Sequence, residues 1–97
     1  MQYENLLAPE AAVDLKRLRA TDRSEVRDAI EQHVRHKPTQ VSRGRIKRLQ
    51  GLTRPQYRLR VGKDVRVFYD VVDDTVEILA IVSKAEAKQW LERYGER

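Results

Sequence analysis

A change in hydrophobic period near residue 45 constrains the fold more than any other feature of the chain. Beyond that point Tyr57, Leu59 and Val61 alternate with Gln56, Arg58 and Arg60, and Gly62-Lys63-Asp64 supplies a turn. Val65, Val67, Tyr69 and Val71 then alternate with Arg66, Phe68, Asp70 and Val72, before a second turn at Asp73-Asp74. Residues two apart share one face of a strand, so these segments have one apolar face and one that carries arginines. The next run, Val76 to Val82, is apolar at Ile78, Leu79, Ala80, Ile81 and Val82, which predicts a central strand covered on both faces. Short alternating segments joined by tight turns predict an antiparallel meander.

Before residue 45 the period is helical. Pro9 and Glu10 suit a first helical turn, and Ala12, Leu15 and Leu18 form a buried stripe ending near Ala20. Asp22-Arg-Ser-Glu25 reads as a variant capping box opening a second helix. On it Val26, Ala29, Ile30, His33 and Val34 line up until Pro38 forces a stop. The short link predicts an antiparallel helix hairpin. Residues 2–7 predict a brief first strand with Tyr3 and Leu6 or Leu7 inward. A last helix from Lys84 carries Ala87, Trp90 or Leu91, and Tyr94 on one side, and residues 37–44 read as a loop.

At 97 residues the chain has room for one core, so residues 1–97 are expected to form a single domain. Twenty Lys and Arg against 15 Asp and Glu leave a net charge of +5, favouring an anionic partner. Without cysteine there are no disulfides, thiolate nucleophiles or Cys-rich zinc sites, which suits a cytoplasmic address. No apolar run approaches the roughly 18 residues that span a bilayer, and the N-terminus lacks a basic segment followed by an apolar one. The expectation is a protein that is neither exported nor membrane-bound.

Arg58 and Arg60 share a strand face, and Arg66 on the next strand lies within side-chain reach across the ladder. Guanidiniums repel one another and match phosphate oxygens in planar, bidentate fashion, so a phosphate groove is one use of such a face. A solvated face, or one covered by a protein partner, is the other. His33 reads as a packed histidine, and His36 as a cation suited to a helix C-terminus. No His, Asp and Glu have metal-ligand spacing, Asp73-Asp74 reads as a turn, and no cofactor is expected.

Arg48-Leu-Gln-Gly51, then Tyr57-Arg-Leu-Arg-Val-Gly62, then Val65-Arg-Val-Phe-Tyr69, within the order strand, helix hairpin, meander and helix, resembles the RelE/ParE superfamily of bacterial and archaeal toxins over nearly the whole chain. The resemblance implies an α+β fold in which an N-terminal helix hairpin packs on a small antiparallel sheet with a C-terminal helix. It implies the toxin of a type II toxin-antitoxin system, neutralised by a cognate antitoxin that wraps its surface and reaching DNA only through that complex. RelE-like members cut mRNA in the ribosomal A site, with the ribosome and mRNA as partners. ParE-like members inhibit DNA gyrase without nuclease activity, and fold alone does not choose between them.

In RelE-like toxins the residues matching Arg58, Arg60 and Arg66 line the mRNA groove, and Lys47 and Arg48 are expected to extend that RNA-binding surface. Metal-independent cleavage by 2′-OH attack needs a proton acceptor, a role for which arginine is ill suited. Arg66 is therefore expected to stabilise developing charge. Lys84, where the last strand meets the helix, is the candidate acceptor, with an ordinary helix-start lysine as its other reading. RNA-cleaving members carry an arginine and then an aromatic residue after the last strand. Here Ala85, Ala87 and Leu91 stand at those places, so Tyr94, one turn further on, is the catalytic candidate to compensate, with a core or surface tyrosine near a frayed helix end as its other reading. Trp90 reads as core.

Overall fold

A computed structural model describes residues 2–97. The elements are β1 (Glu4–Leu7), α1 (Pro9–Arg17), α2 (Ala20–Ala29) with a π-helical turn (Ile30–Val34), β2 (Ile46–Arg48), β3 (Tyr57–Val61), β4 (Val65–Val72), β5 (Thr75–Ser83) and α3 (Lys84–Tyr94). They form one five-stranded sheet in the order β1-β5-β4-β3-β2. The meander from β2 to β5 is antiparallel throughout, as its alternation and turns require. Gly62 takes a positive φ of 58° in the β3–β4 turn, a conformation that glycine adopts without steric cost.

The sheet has two unlike faces. Leu59, Val61, Val67, Tyr69, Val76, Ile78 and Ile81 point to one side and close a core with Ala11, Leu15, Val26, Ala29 and Val34 from the helices. Each fully buried Leu or Val contributes about 1.5–3 kcal/mol relative to exposure. α1 lies over β5 and α2 over β3. Tyr69 is fully buried, stacks on Tyr57 with ring centres 5.4 Å apart, and donates its hydroxyl to the Pro38 carbonyl at 2.6 Å. Burial, and then the neighbouring Tyr57, push its phenol above the ordinary tyrosine range. That hydrogen bond ties the loop after the helices to the middle of the sheet.

On the opposite face α3 covers β4 and β5, with Trp90 stacked on the buried Phe68 at 5.1 Å and 13°. Trp90 thus anchors the helix by stacking but stays half-buried and outside the core cluster, which corrects its reading as core. The α3 start is set by Ser83, whose Oγ accepts from the Glu86 amide at 3.2 Å while its hydroxyl donates to the Glu86 carboxylate at 2.8 Å. This Ser-x-x-Glu arrangement satisfies an amide that the first helical turn leaves free.

Several expectations are corrected. The sheet is mixed, because β1 runs parallel to β5, pairing Glu4 with Thr75 and Leu7 with Ile78. β1 takes the free edge of β5, a strand some 70 residues away in sequence. Leu6 and Leu7 are not inward: they remain 48% and 44% exposed on this edge strand, and only Tyr3 packs against the core. α1 ends at Arg17 and α2 begins at Ala20, two residues before the proposed cap. Asp22 therefore sits inside the first turn, where its charge suits the dipole and pairs with Arg19 at 3.8 Å, and no side chain caps the helix. Finally Asp14, on the polar side of the predicted α1 stripe, accepts from the Ile81 amide at 3.0 Å. That amide lies beyond the end of the β1 pairing, and a buried donor needs a partner.

Candidate functional site

The face opposite the core is only half covered by α3, and a groove remains between β2, β3, β4 and the helix. Register explains its floor. Lys47 pairs with Arg58, which pairs with Phe68, so these three share the open face. Arg60 pairs directly with Arg66 one row along the ladder. The groove has a volume of about 740 Å3, and six cations, Lys47, Arg58, Arg66, Lys84, Lys88 and Arg97, line it against one carboxylate, Glu92. Among the described residues none of the six makes an ion pair.

The electrostatics of the floor are unfavourable in the absence of an anion. Burial, followed by the charge of Arg60, lowers the pKa of Arg58, and its Nε is buried without a hydrogen-bond partner. Arg66 is only 7% exposed and spends one donor on the adjacent Val65 carbonyl at 2.9 Å. Its pKa is lowered by burial, then by Arg58 and Arg60, with Asp64 acting the other way. Like charges directly opposite on a ladder destabilise it, and a buried unpaired donor costs about 1–3 kcal/mol. An anion with several acceptor oxygens relieves both penalties at once.

Lys84 enters the same groove because its backbone N–H donates to the Asp64 carbonyl at 2.6 Å, which fastens the start of α3 to the β3–β4 turn. Arg60 is exposed at the edge, where its Nε donates to the Gly62 carbonyl at 3.2 Å, next to the groove but outside its lining. Arg48 is not brought in. It pairs with Tyr57 on the other face, donates to the Gln56 carbonyl at 2.7 Å and lies over the Tyr57 ring at 5.3 Å. Strand parity sends it away from Lys47, so it acts as a structural clasp.

Tyr94 is not brought in either. On α3 the residues facing the groove are Lys84, Ala87, Lys88, Leu91 and Glu92, whereas Trp90 and Tyr94 form the next stripe. Tyr94 lies 5.3 Å from the Trp90 ring and lines a separate cleft of about 450 Å3 with Arg54, Pro55 and Leu79. Packing Trp90 on Phe68 turns the helix so that Leu91, not Tyr94, meets the arginines.

Lys88, Glu92 and Arg97 were missed by sequence reasoning. For the first two a signal existed, since Lys84, Lys88 and Glu92 are four residues apart and share a helix face. Arg97 carried none. The tail reaches the groove because the backbone of Glu96 exchanges hydrogen bonds with Thr53 and Arg54, both at 2.7 Å. The side chain of Arg54 reinforces this closure, reaching Glu77 at 3.0 Å, Asp70 at 3.6 Å and Glu96 at 3.9 Å. The described residues contain no group of three or more His, Cys, Asp or Glu placed to hold a metal ion, and no helix long and apolar enough to cross a membrane.

Known proteins share this fold. The solved toxin-antitoxin complex RelBE2 of Mycobacterium tuberculosis is similar, with a TM-score of 0.73 and 22% identity over 87% of this chain and 100% of that one. The archaeal RelE-RelB complex of Pyrococcus horikoshii has a TM-score of 0.64 and 26% identity over 87% and 97% of the two chains. A YafQ mutant from E. coli scores 0.65 with 13% identity over 89% and 98%. Among curated proteins, none matches this sequence. The family model described as the ParE toxin of the type II toxin-antitoxin system parDE matches residues 6–88. The chain therefore belongs to the ParE toxin family, within the RelE/ParE superfamily of type II toxin-antitoxin toxins.

Proposed function

We propose that the toxin acts on ribosome-bound mRNA as an endoribonuclease, with the open groove holding the RNA backbone and a cognate antitoxin masking it. The observation carrying this reading is the set of unneutralised cations along the groove, in which a buried arginine donor has no partner. Arg58 and Lys47 hold flanking phosphates, while Arg66 at the floor stabilises charge on the scissile phosphate as the 2′-oxygen attacks, the bond from phosphorus to the 5′-oxygen breaks and a 2′,3′-cyclic phosphate is left. Lys84 accepts the 2′-hydroxyl proton in this scheme and returns it to the departing 5′-oxygen, while Glu92, two helical turns further along α3, is the one acidic side chain lining the groove. With no histidine in the lining, the ribosome has to order the substrate, and cleavage of free RNA is expected to be slow.

The test is a translating extract supplied with the purified toxin. Cuts in mRNA that need ribosomes, fall about 100- to 1,000-fold in Arg66→Ala and survive in Tyr94→Phe are the expected result. Intact mRNA overturns the proposal. A second reading, inhibition of DNA gyrase without nuclease activity, is favoured by the match to the ParE model and by Leu91, an aliphatic side chain where a base-stacking aromatic would stand. It predicts loss of supercoiling in a purified gyrase assay, and unaffected supercoiling refutes it.

A further inference from the structure

A second cationic cluster lies around the β2 edge from the groove. Lys37, Arg43 and Arg45 line a cleft of about 370 Å3 together with His33, and no carboxylate lines it. All three are exposed, and among the described residues none makes an ion pair. Glu25 and Asp28 face an adjoining cleft that shares His33 and Arg45, but they too form no ion pair with either. Burial and then the Arg45 charge lower the pKa of His33.

The chemistry of the walls selects the kind of anion. The remaining side chains are the amides Gln32 and Gln40, the hydroxyl Ser42, and Ile46, which is 3% exposed. A protein partner needs an accessible apolar or aromatic anchor; the lining of this cleft offers none, and the loop that carries it exposes only the small Val41, outside the lining. A nucleic-acid backbone needs only cations and hydrogen-bond donors. The cleft is also connected to the groove. The Arg45 carbonyl accepts from the Arg60 amide at 2.8 Å, and Lys47, on the groove lining, is two residues from Arg45, no more than about 7 Å along the chain. β2 is the outermost strand on this side, so among the described residues no further strand separates the two sites.

We infer that Lys37, Arg43 and Arg45 form a second phosphate-backbone site, and that an RNA seated in the groove crosses the β2 edge onto the loop of residues 37–45. The inference rests on the groove holding RNA, as proposed above. It sets a substrate length: the toxin engages nucleotides on both sides of the sheet edge, so short oligonucleotides fill the groove alone.

The test measures binding of labelled oligouridylates of roughly 4 and roughly 16 nucleotides over a range of salt concentrations. The probe pair is compared between the wild type and the triple variant Lys37→Ala/Arg43→Ala/Arg45→Ala, whose exposed positions leave the fold intact by circular dichroism. For the long oligomer the slope of log K against log salt is expected to fall by about 2, at about 0.7 per phosphate contact on a single strand, while the short oligomer is unaffected. An NMR titration is expected to raise the His33 pKa when the long oligomer binds and not when the short one does. An unchanged slope with a silent His33 overturns the inference. So does equal competition at this cleft by polyglutamate, which makes the occupant an acidic protein segment. Failure of the groove reading looks different: Arg58→Ala/Arg66→Ala then binds the short oligomer as tightly as wild type.

Discussion

Replacing Arg58 by methionine removes a guanidinium from the groove floor and keeps an unbranched stem of similar reach. Two penalties of the wild type disappear. The buried Nε without a partner costs about 1–3 kcal/mol, and juxtaposition with the like charges of Arg60 and Arg66 adds a few tenths more. Against this stands the loss of solvation by the part of the guanidinium that still meets water. The balance predicts a free protein more stable by about 1 kcal/mol, or about 4–8 °C in Tm for a domain of this size. High salt shrinks only the repulsive share, since the Debye length falls to about 3 Å at 1 M while the unsatisfied donor is untouched. An oligonucleotide at 100 times its Kd adds about 2.7 kcal/mol to the wild type and much less to the variant, so the order of stabilities reverses on ligand addition. Thermal unfolding followed by circular dichroism, at low and high salt and with and without oligomer, reads all of this. A variant that is less stable than wild type without ligand, or equally stabilised by it, refutes the argument that the groove stores an unmet demand for anions.

Two further predictions concern the scaffold. Tyr69→Phe leaves the Pro38 carbonyl without its donor in a dry interior and is expected to lower stability by about 1–3 kcal/mol in urea unfolding, with groove binding unchanged; a loss below about 0.5 kcal/mol means that water replaces the hydroxyl. Asp70 accepts from the Gln56 amide at 2.7 Å and is 6% exposed; burial raises its pKa above the ordinary 3.8, against the opposing pull of the Gln56 hydrogen bond and Arg54. The folded state thus favours the protonated form, and stability present below pH 3.8 is lost as pH rises through the folded value. Asp70→Asn keeps the acceptor and removes this loss, so its stability relative to wild type should increase between about pH 4 and pH 7 in urea midpoints. A pH-independent difference, or one of opposite sign, shows that Arg54 governs the site instead.

Sequence alone determined the parts of this protein that depend on local covalent geometry. Two-residue alternation placed Arg58, Arg60 and Arg66 on one face and Leu59, Val61, Val67 and Tyr69 on the other, because successive strand side chains point to opposite sides whatever the strand pairs with. The same parity separates Lys47 from Arg48, so the expulsion of Arg48 from the groove was legible in principle. The helical repeat of Lys84, Lys88 and Glu92 was legible too. What only the tertiary structure decided are contacts between residues far apart in the chain. β1 joins the free edge of β5 in parallel, and as an edge strand it leaves Leu6 and Leu7 exposed. The stacking of Trp90 on Phe68 sets the rotation of α3, which turns Leu91 into the groove and Tyr94 out of it. The backbone bonds of Glu96 to Thr53 and Arg54 bring Arg97 to the groove wall. A helical repeat specifies which residues share a stripe, while the direction that stripe faces is chosen by packing against a partner element, and no local pattern encodes it.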